Sequence, residues 1–204
     1  MIKRTLLALV AGSMLSISAQ AGVVFEDNFD LEAGAAGSSA LNYNNFDQWS
    51  VSNGTVDVVS NGGWGIHCAG NTGKCVDLDG STHNAGMFSS DTFNLAAGIY
   101  SLSFDISGNQ RTGSNDNLQV TLDGFFNQSF NLAYNSLWQT VTHTFTVNSD
   151  TSNNLTFNHA GGDNIGIMLD NVSLHSVEVP EPGTFALFAL GLAGVGFLRK
   201  NQKV

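Results

Sequence analysis

Ile99-Tyr100-Ser101-Leu102-Ser103-Phe104-Asp105-Ile106 decides the fold. Side chains of an extended chain alternate between two faces. Here Tyr100, Leu102, Phe104 and Ile106 fall on one face, and Ser101, Ser103 and Asp105 on the other. Apolar and polar residues separated with period two mark a strand that faces a core on one side and water on the other. Outward from this stretch the pattern recurs. Leu118, Val120 and Leu122 alternate with Gln119, Thr121 and Asp123. Val141, His143, Phe145 and Val147 alternate with Thr140, Thr142, Thr144 and Thr146. Clusters of Gly, Asn, Asp and Ser separate the runs at the short intervals of antiparallel sheets. Asn53-Gly54, between Trp49-Ser50-Val51 and Thr55 to Val59, predicts a hairpin. No amphipathic helix of useful length interrupts the strands. A count of about nine or ten favours two packed sheets over a small barrel.

The ends of the chain read differently. Lys3 and Arg4, the apolar stretch Leu6 to Ile17 and the small-residue site Ala19-Gln20-Ala21 are the three parts of a secretory signal peptide. The apolar stretch is short and broken by Gly12, Ser13 and Ser16, which argues against a membrane helix. The mature chain is expected to begin at Gly22, after a signal peptide at 1–21. At the other end, Val179-Pro180-Glu181-Pro182-Gly183 contains both prolines of the protein. It leads into an apolar stretch at 184–198 and a basic end at 199–204. Fifteen apolar-stretch residues make a helix of about 22 Å, against a bilayer core of about 30 Å. That is a marginal transmembrane helix, better suited to a transient membrane stop than to a permanent anchor. Arg199, Lys200 and Lys203 place its end on the cytoplasmic side. A lipid-anchor signal is the competing reading, but such signals end in their hydrophobic tail.

Val-Pro-Glu-Pro, the short apolar helix and Arg-Lys together resemble the PEP-CTERM sorting signal of Gram-negative bacteria. The resemblance implies that Pro180, Glu181 and Pro182 are recognised by an exosortase, a membrane cysteine protease that cleaves nearby. It further implies transient contact with the inner membrane, then release to the cell surface or an extracellular polysaccharide matrix. An incidental Pro-rich linker before a membrane anchor is the alternative.

Between the two addresses lie residues 22–178, one domain's worth of chain. They carry sixteen acidic residues and two basic ones, Lys74 and Arg111, for a net charge near −14. Such a body repels phosphate backbones and anionic lipid, which excludes nucleic-acid binding. It is compatible with cations and with neutral sugars. Cys68 and Cys75 are the only cysteines. In the oxidising exterior they are expected to bridge a small loop of turn-forming residues, with a gain of roughly 2–3 kcal/mol. A zinc site would need a second ligand pair beside these cysteines and His67, and there is none.

Val76-Asp77-Leu78-Asp79-Gly80-Ser81, then Phe93-Asn94-Leu95, the run from Gly98, and a closing Leu169-Asp170-Asn171-Val172-Ser173-Leu174 form an ordered pattern. It resembles the jelly-roll β-sandwich of galactose-binding-like domains, the fold of many carbohydrate-binding modules. The resemblance covers most of Val23 to Leu174. It implies an all-β sandwich of two antiparallel sheets, and a structural calcium near the first and last strands. Glu26 or Asp27, with Asp170, would supply the oxygen ligands for that ion. Strand-end carboxylates held by hydrogen bonds are the plainer alternative.

No Gly-x-Ser-x-Gly, His-Glu-x-x-His or phosphate loop occurs. The three glutamates of residues 22–178 and the scattered aspartates form no recognisable acid/base constellation, so an enzyme is not expected. Asp77 and Asp79 share a side of one strand and could hold a cation or a proton. The histidines at 67, 83, 143, 159 and 175 show no ligand spacing, and His143 shares a face with Val141 and Phe145. Sugar binding needs aromatic platforms and planar polar groups. Trp49 and Trp138 read as packing, whereas Trp64 lies in Asn61-Gly62-Gly63-Trp64-Gly65 with turn residues on both sides. Arg111, in a polar loop, reads either as an ion pair with an Asp or as a donor fork to sugar hydroxyls. Asp163 and Asn164 occupy another such loop. These four residues, Trp64, Arg111, Asp163 and Asn164, are the expected sugar site. Two functions remain: a non-catalytic surface or matrix protein that binds exopolysaccharide, or a structural and adhesive one without a sugar pocket.

Overall fold

The computed structural model describes residues 22–178. The expected signal peptide at 1–21 and the sorting tail at 179–204, with its apolar helix, lie outside these residues. The chain forms β1 (Val23–Asp27), β2 (Ala40–Tyr43), β3 (Trp49–Ser52), β4 (Val56–Ser60), β5 (Lys74–Asp77), β6 (Met87–Ser90) and β7 (Phe93–Leu95). It continues through β8 (Gly98–Ser107), β9 (Asp116–Leu122), β10 (Phe126–Leu132), β11 (Gln139–Val147), β12 (Thr151–Asn153), β13 (Leu155–His159) and β14 (Met168–Val177). These strands outnumber those that alternation predicts. β2, β7 and β12 are three or four residues long, too short to display a period.

The architecture is an all-β jelly-roll sandwich. One sheet runs β11-β8-β14-β5-β4-β2, with β1 also paired to β14. The second runs β10-β9-β13-β6-β3. β7 and β12 pair separately. The strand pairs within these sheets are antiparallel.

The alternating faces do what their pattern predicts. Tyr100, Leu102, Phe104 and Ile106 of β8 meet Leu118, Val120 and Leu122 of β9 and Phe157 of β13 in one buried cluster. Trp49 stacks on Phe88 with ring centroids 4.4 Å apart, and its indole N–H donates to Asp27 Oδ2 at 2.8 Å. Trp49 is thus a core residue whose one polar atom is satisfied, as burial requires.

The predicted hairpin at Asn53-Gly54 is corrected. Asn53 does take a left-handed turn conformation. However, β3 pairs with β6 in one sheet, and β4 pairs with β5 and β2 in the other. The turn carries the chain between sheets. Its end is pinned where Thr55 N–H donates to the Asn84 carbonyl at 3.0 Å and the Thr55 carbonyl accepts from Gly80 and Gly86. A Cβ at Gly54 would lie 2.2 Å from the Ala85 carbonyl oxygen, so this close crossing requires glycine.

β4 departs from alternation, with all five residues buried. Val56 and Val58 face the main core. Val59 faces the opposite way, into a second cluster with Cys75, Met168, Ile66 and Cys68. The segment between β4 and β5 therefore folds over the outer surface of the larger sheet. The Cys68–Cys75 disulfide ties it there, and Trp138 packs against this small core.

Candidate functional site

The disulfide-bound segment carries Trp64 in a turn of 3₁₀ helix at Gly63–Gly65. Gly62 enters the turn in a left-handed conformation, and its N–H donates to the Ile66 carbonyl at 2.7 Å. Trp64 itself has φ 49°. A bulky side chain in this region is strained, and such strain collects at functional sites. Nothing in the core rewards it, since Trp64 is 53% exposed.

Two further loops are bonded to this one. His67 N–H donates to Gln110 Oε1 at 3.0 Å, and Gln110 Nε2 donates to the His67 carbonyl at 2.9 Å. The same carbonyl accepts from Trp138 Nε1 at 2.8 Å. The Gln110 N–H donates to the Tyr134 carbonyl at 2.8 Å, and the Gly108 N–H to the Ser136 carbonyl at 3.0 Å. A Cβ at Gly108 would sit 2.0 Å from the Ala133 carbonyl oxygen, so only glycine permits this approach. The three loops hold Trp64, Tyr134 and Leu137 outward, with Tyr134 42% and Leu137 86% exposed. Reasoning from sequence missed Tyr134, Leu137 and Gln110. A signal was present: apolar residues at 134, 137 and 138, between two alternating strands, break the polar composition of a turn.

Arg111, next to Gln110, donates from Nη2 to Asp77 Oδ2 at 2.6 Å. A weaker bond of 3.4 Å reaches the Asn164 carbonyl. The other Asp77 oxygen accepts from the backbone N–H of Asp79 and Gly166. Burial raises the Asp77 carboxyl well above the usual carboxylate range, and these bonds and the guanidinium act against that. Arg111 and Asn164 are therefore adjacent, with Asp163 next in the chain. Asp77 is the ion-pair partner of Arg111. Asp163 instead closes its own loop by accepting from Ile165 N–H at 3.0 Å. Lys74, the other cation of the body, is buried and donates to the carbonyls of Glu32 and Gly34.

Asp79 does not share a strand face with Asp77, because β5 ends at Asp77. It lies buried with no partner for either carboxyl oxygen among the described residues. Burial, then the charge of Asp163, pushes its pKa up to about 7. His159 Nδ1 is 4.0 Å away, and burial lowers that imidazole to about 4. The His159 ring nitrogens also lie within bonding distance of the Gly161 and Ile167 N–H groups. Below about pH 7 a protonated Asp79 thus faces a neutral imidazole, with both side chains buried.

The carboxylates expected to bind calcium lie on the paired strands β1 and β14, and two of them are engaged by protein donors. Asp27 spends one oxygen on the Phe29 N–H and the other on Trp49. Glu26 is exposed. Asp170 lies under the disulfide loop, and its two oxygens accept from Ala69 and Asn171 N–H. Burial raises it to about 7. Among the described residues no group of three or more His, Cys, Asp or Glu is placed to hold a metal ion. His143 Nε2 lies 3.1 Å from the Phe125 carbonyl, which satisfies it without a ligand.

Residues 178–200 match the PEP-CTERM protein-sorting motif, which implies export and sorting to the cell surface. Comparison with the curated proteins finds no sequence match. In structure, the chain is similar to the N-terminal CBM22-1-CBM22-2 tandem domain of Xyn10C from Paenibacillus barcinonensis. The TM-score is 0.50 at 14% identity, over 81% of this chain and 50% of that one. The CBM22-1 xylan-binding domain of the same protein aligns at a TM-score of 0.44 and 13% identity, over 72% and 99% of the two chains. The K3 adhesin domain of Lys-gingipain from Porphyromonas gingivalis aligns at 0.48 and 14%, over 78% and 100%. At these identities the likeness is one of fold.

Proposed function

We propose that this exported protein is a non-catalytic carbohydrate-binding protein of the cell surface or matrix, processed by an exosortase, and that the three bonded loops form its glycan site. The exposure of Trp64 on a disulfide-tied loop carries the reading. A strained, solvent-facing indole, on a loop bonded through His67 to Gln110 and onward to Tyr134, offers with the Tyr134 ring apolar faces for sugar rings. Arg111, Asp163 and Asn164 extend the polar part of the site, with one guanidinium nitrogen already engaged by Asp77. The fold shared with the CBM22 tandem domain from Paenibacillus barcinonensis agrees with this. The ligand is an uncharged polysaccharide. The body has about fourteen excess negative charges, and both of its cations are held by internal partners.

The test is retention of the exported protein on gels cast with neutral polysaccharides. Trp64→Ala with Tyr134→Ala is expected to weaken retention by at least about tenfold, or 1.4 kcal/mol, with the melting temperature unchanged. Retention equal to the parent protein overturns the reading.

A further inference from the structure

Each main sheet of the sandwich has two edges. β2 and β3, four residues each, close one side, and the pairing of β2 carries a register shift. β10 and β11 close the other. β11 pairs with β8 through nine consecutive residues without a shift, and no described strand lies on its far side. Its sequence, Gln-Thr-Val-Thr-His-Thr-Phe-Thr-Val, contains no Asp, Glu, Lys, Arg or Pro. An open row of backbone N–H and C=O groups templates further strands, so edges are normally blunted by charge, proline, a bulge or shortness. β11 has none of these devices over about 30 Å.

What such an edge accepts is narrowed by charge. The body holds sixteen acidic residues against two basic ones, so most of its surface repels a second copy of itself. β11 brings no charge of its own to such a contact, and the carboxylate beside it, Asp105, is engaged by Thr140 Oγ1 and Asn171 Nδ2. We propose that β11 is a homotypic docking edge. Two copies pair their Gln139–Val147 strands antiparallel about a two-fold axis, and the two larger sheets join into one. The contact is isologous, as a symmetric dimer requires. Pairing centred on His143 sets Thr142 of one copy against Thr144 of the other, and Thr140 against Thr146. All four threonines are exposed, and threonine pairs directly across a strand are favourable. On the inner face Phe145 stays packed in its own core, stacked on Tyr100 and Phe125. None of the residues assigned to glycan lies on β11, although the strand begins at Gln139, directly after Trp138 of those loops.

Sedimentation of the exported protein over a concentration series tests the proposal. The parent protein is expected to pass from monomer to dimer. Thr142→Glu/Thr144→Glu sets like charges face to face and is expected to raise the dissociation constant by at least about tenfold, with an unchanged melting temperature. The same pair of changes on the neighbouring edge, Asn127→Glu/Ser129→Glu, is expected to leave the dimer intact. Mixing the Glu variant with Thr142→Lys/Thr144→Lys is expected to restore association through opposite charges. A parent that stays monomeric, a dimer that survives the β11 changes, or one lost equally through β10 overturns it.

Discussion

Arg111 Nη2 lies 2.6 Å from Asp77 Oδ2, and the aspartate is 1% exposed while the arginine keeps 28% of its side chain in solvent. The pair links the loop after β8 to the end of β5. It also decides the role of the one cation that looked available for a ligand.

Removing the guanidinium leaves a buried carboxylate without its charge partner. Arg111→Met is expected to cost about 2–3 kcal/mol, below the full value for a buried pair because Arg111 is partly solvated. Asp77→Asn in the same chain is expected to recover part of that loss, since the new amide oxygen would still accept from the Asp79 and Gly166 N–H groups. Urea unfolding of the two variants measures the difference. Equal stability of Arg111→Met and the parent would show that the pair contributes nothing.

The disulfide is expected to matter for both stability and binding. Cys68→Ala/Cys75→Ala removes the tie between the Trp64 loop and β5. Stability should fall by about 2–3 kcal/mol. Trp64 fluorescence should lose its fixed environment, and glycan retention should drop with it. Calorimetry and fluorescence on the same samples separate the two effects.

Asp79 sets a pH dependence whose sign follows from its environment. Its pKa is raised from 3.8 to about 7 on folding, so the neutral form is favoured inside. The contribution is full at acid pH and is lost as pH rises through about 7. His159 acts oppositely: lowered from 6.5 to about 4, it adds stability as pH rises across that window. Asp79→Asn is therefore expected to match the parent near pH 4 and to exceed it by about 1 kcal/mol at pH 8. A thermal-melt series from pH 4 to 8 checks this, and parallel curves would refute it.

The sorting motif makes its own prediction. Pro180→Ala/Pro182→Ala is expected to leave full-length protein in the inner membrane, as seen by fractionation and mass measurement. Normal release would mean that residues 178–200 are not read as an address.

Alternation made the strands legible because burial of one face leaves a period-two record in the residues. That record named the β8, β9 and β11 faces and assigned Trp49 to packing, and the two cysteines announced their own bridge. It failed at Asn53-Gly54, where local turn chemistry is the same whether the chain returns in one sheet or crosses to the other. It also failed at β4, where a covering loop buries the face that alternation assigns to water.

By itself, then, the sequence determined the strand pattern, the acidic balance, the disulfide and the export address, because each is written in neighbouring residues. Only the tertiary structure decided that Arg111 belongs to Asp77, that Asp27 and Asp170 accept from indole and backbone donors, and that the loop carrying Trp64 is bonded to Gln110, which is bonded in turn to Tyr134. Those relationships join residues dozens of positions apart. Sheet packing fixes such distances, and no local pattern of residue types records them.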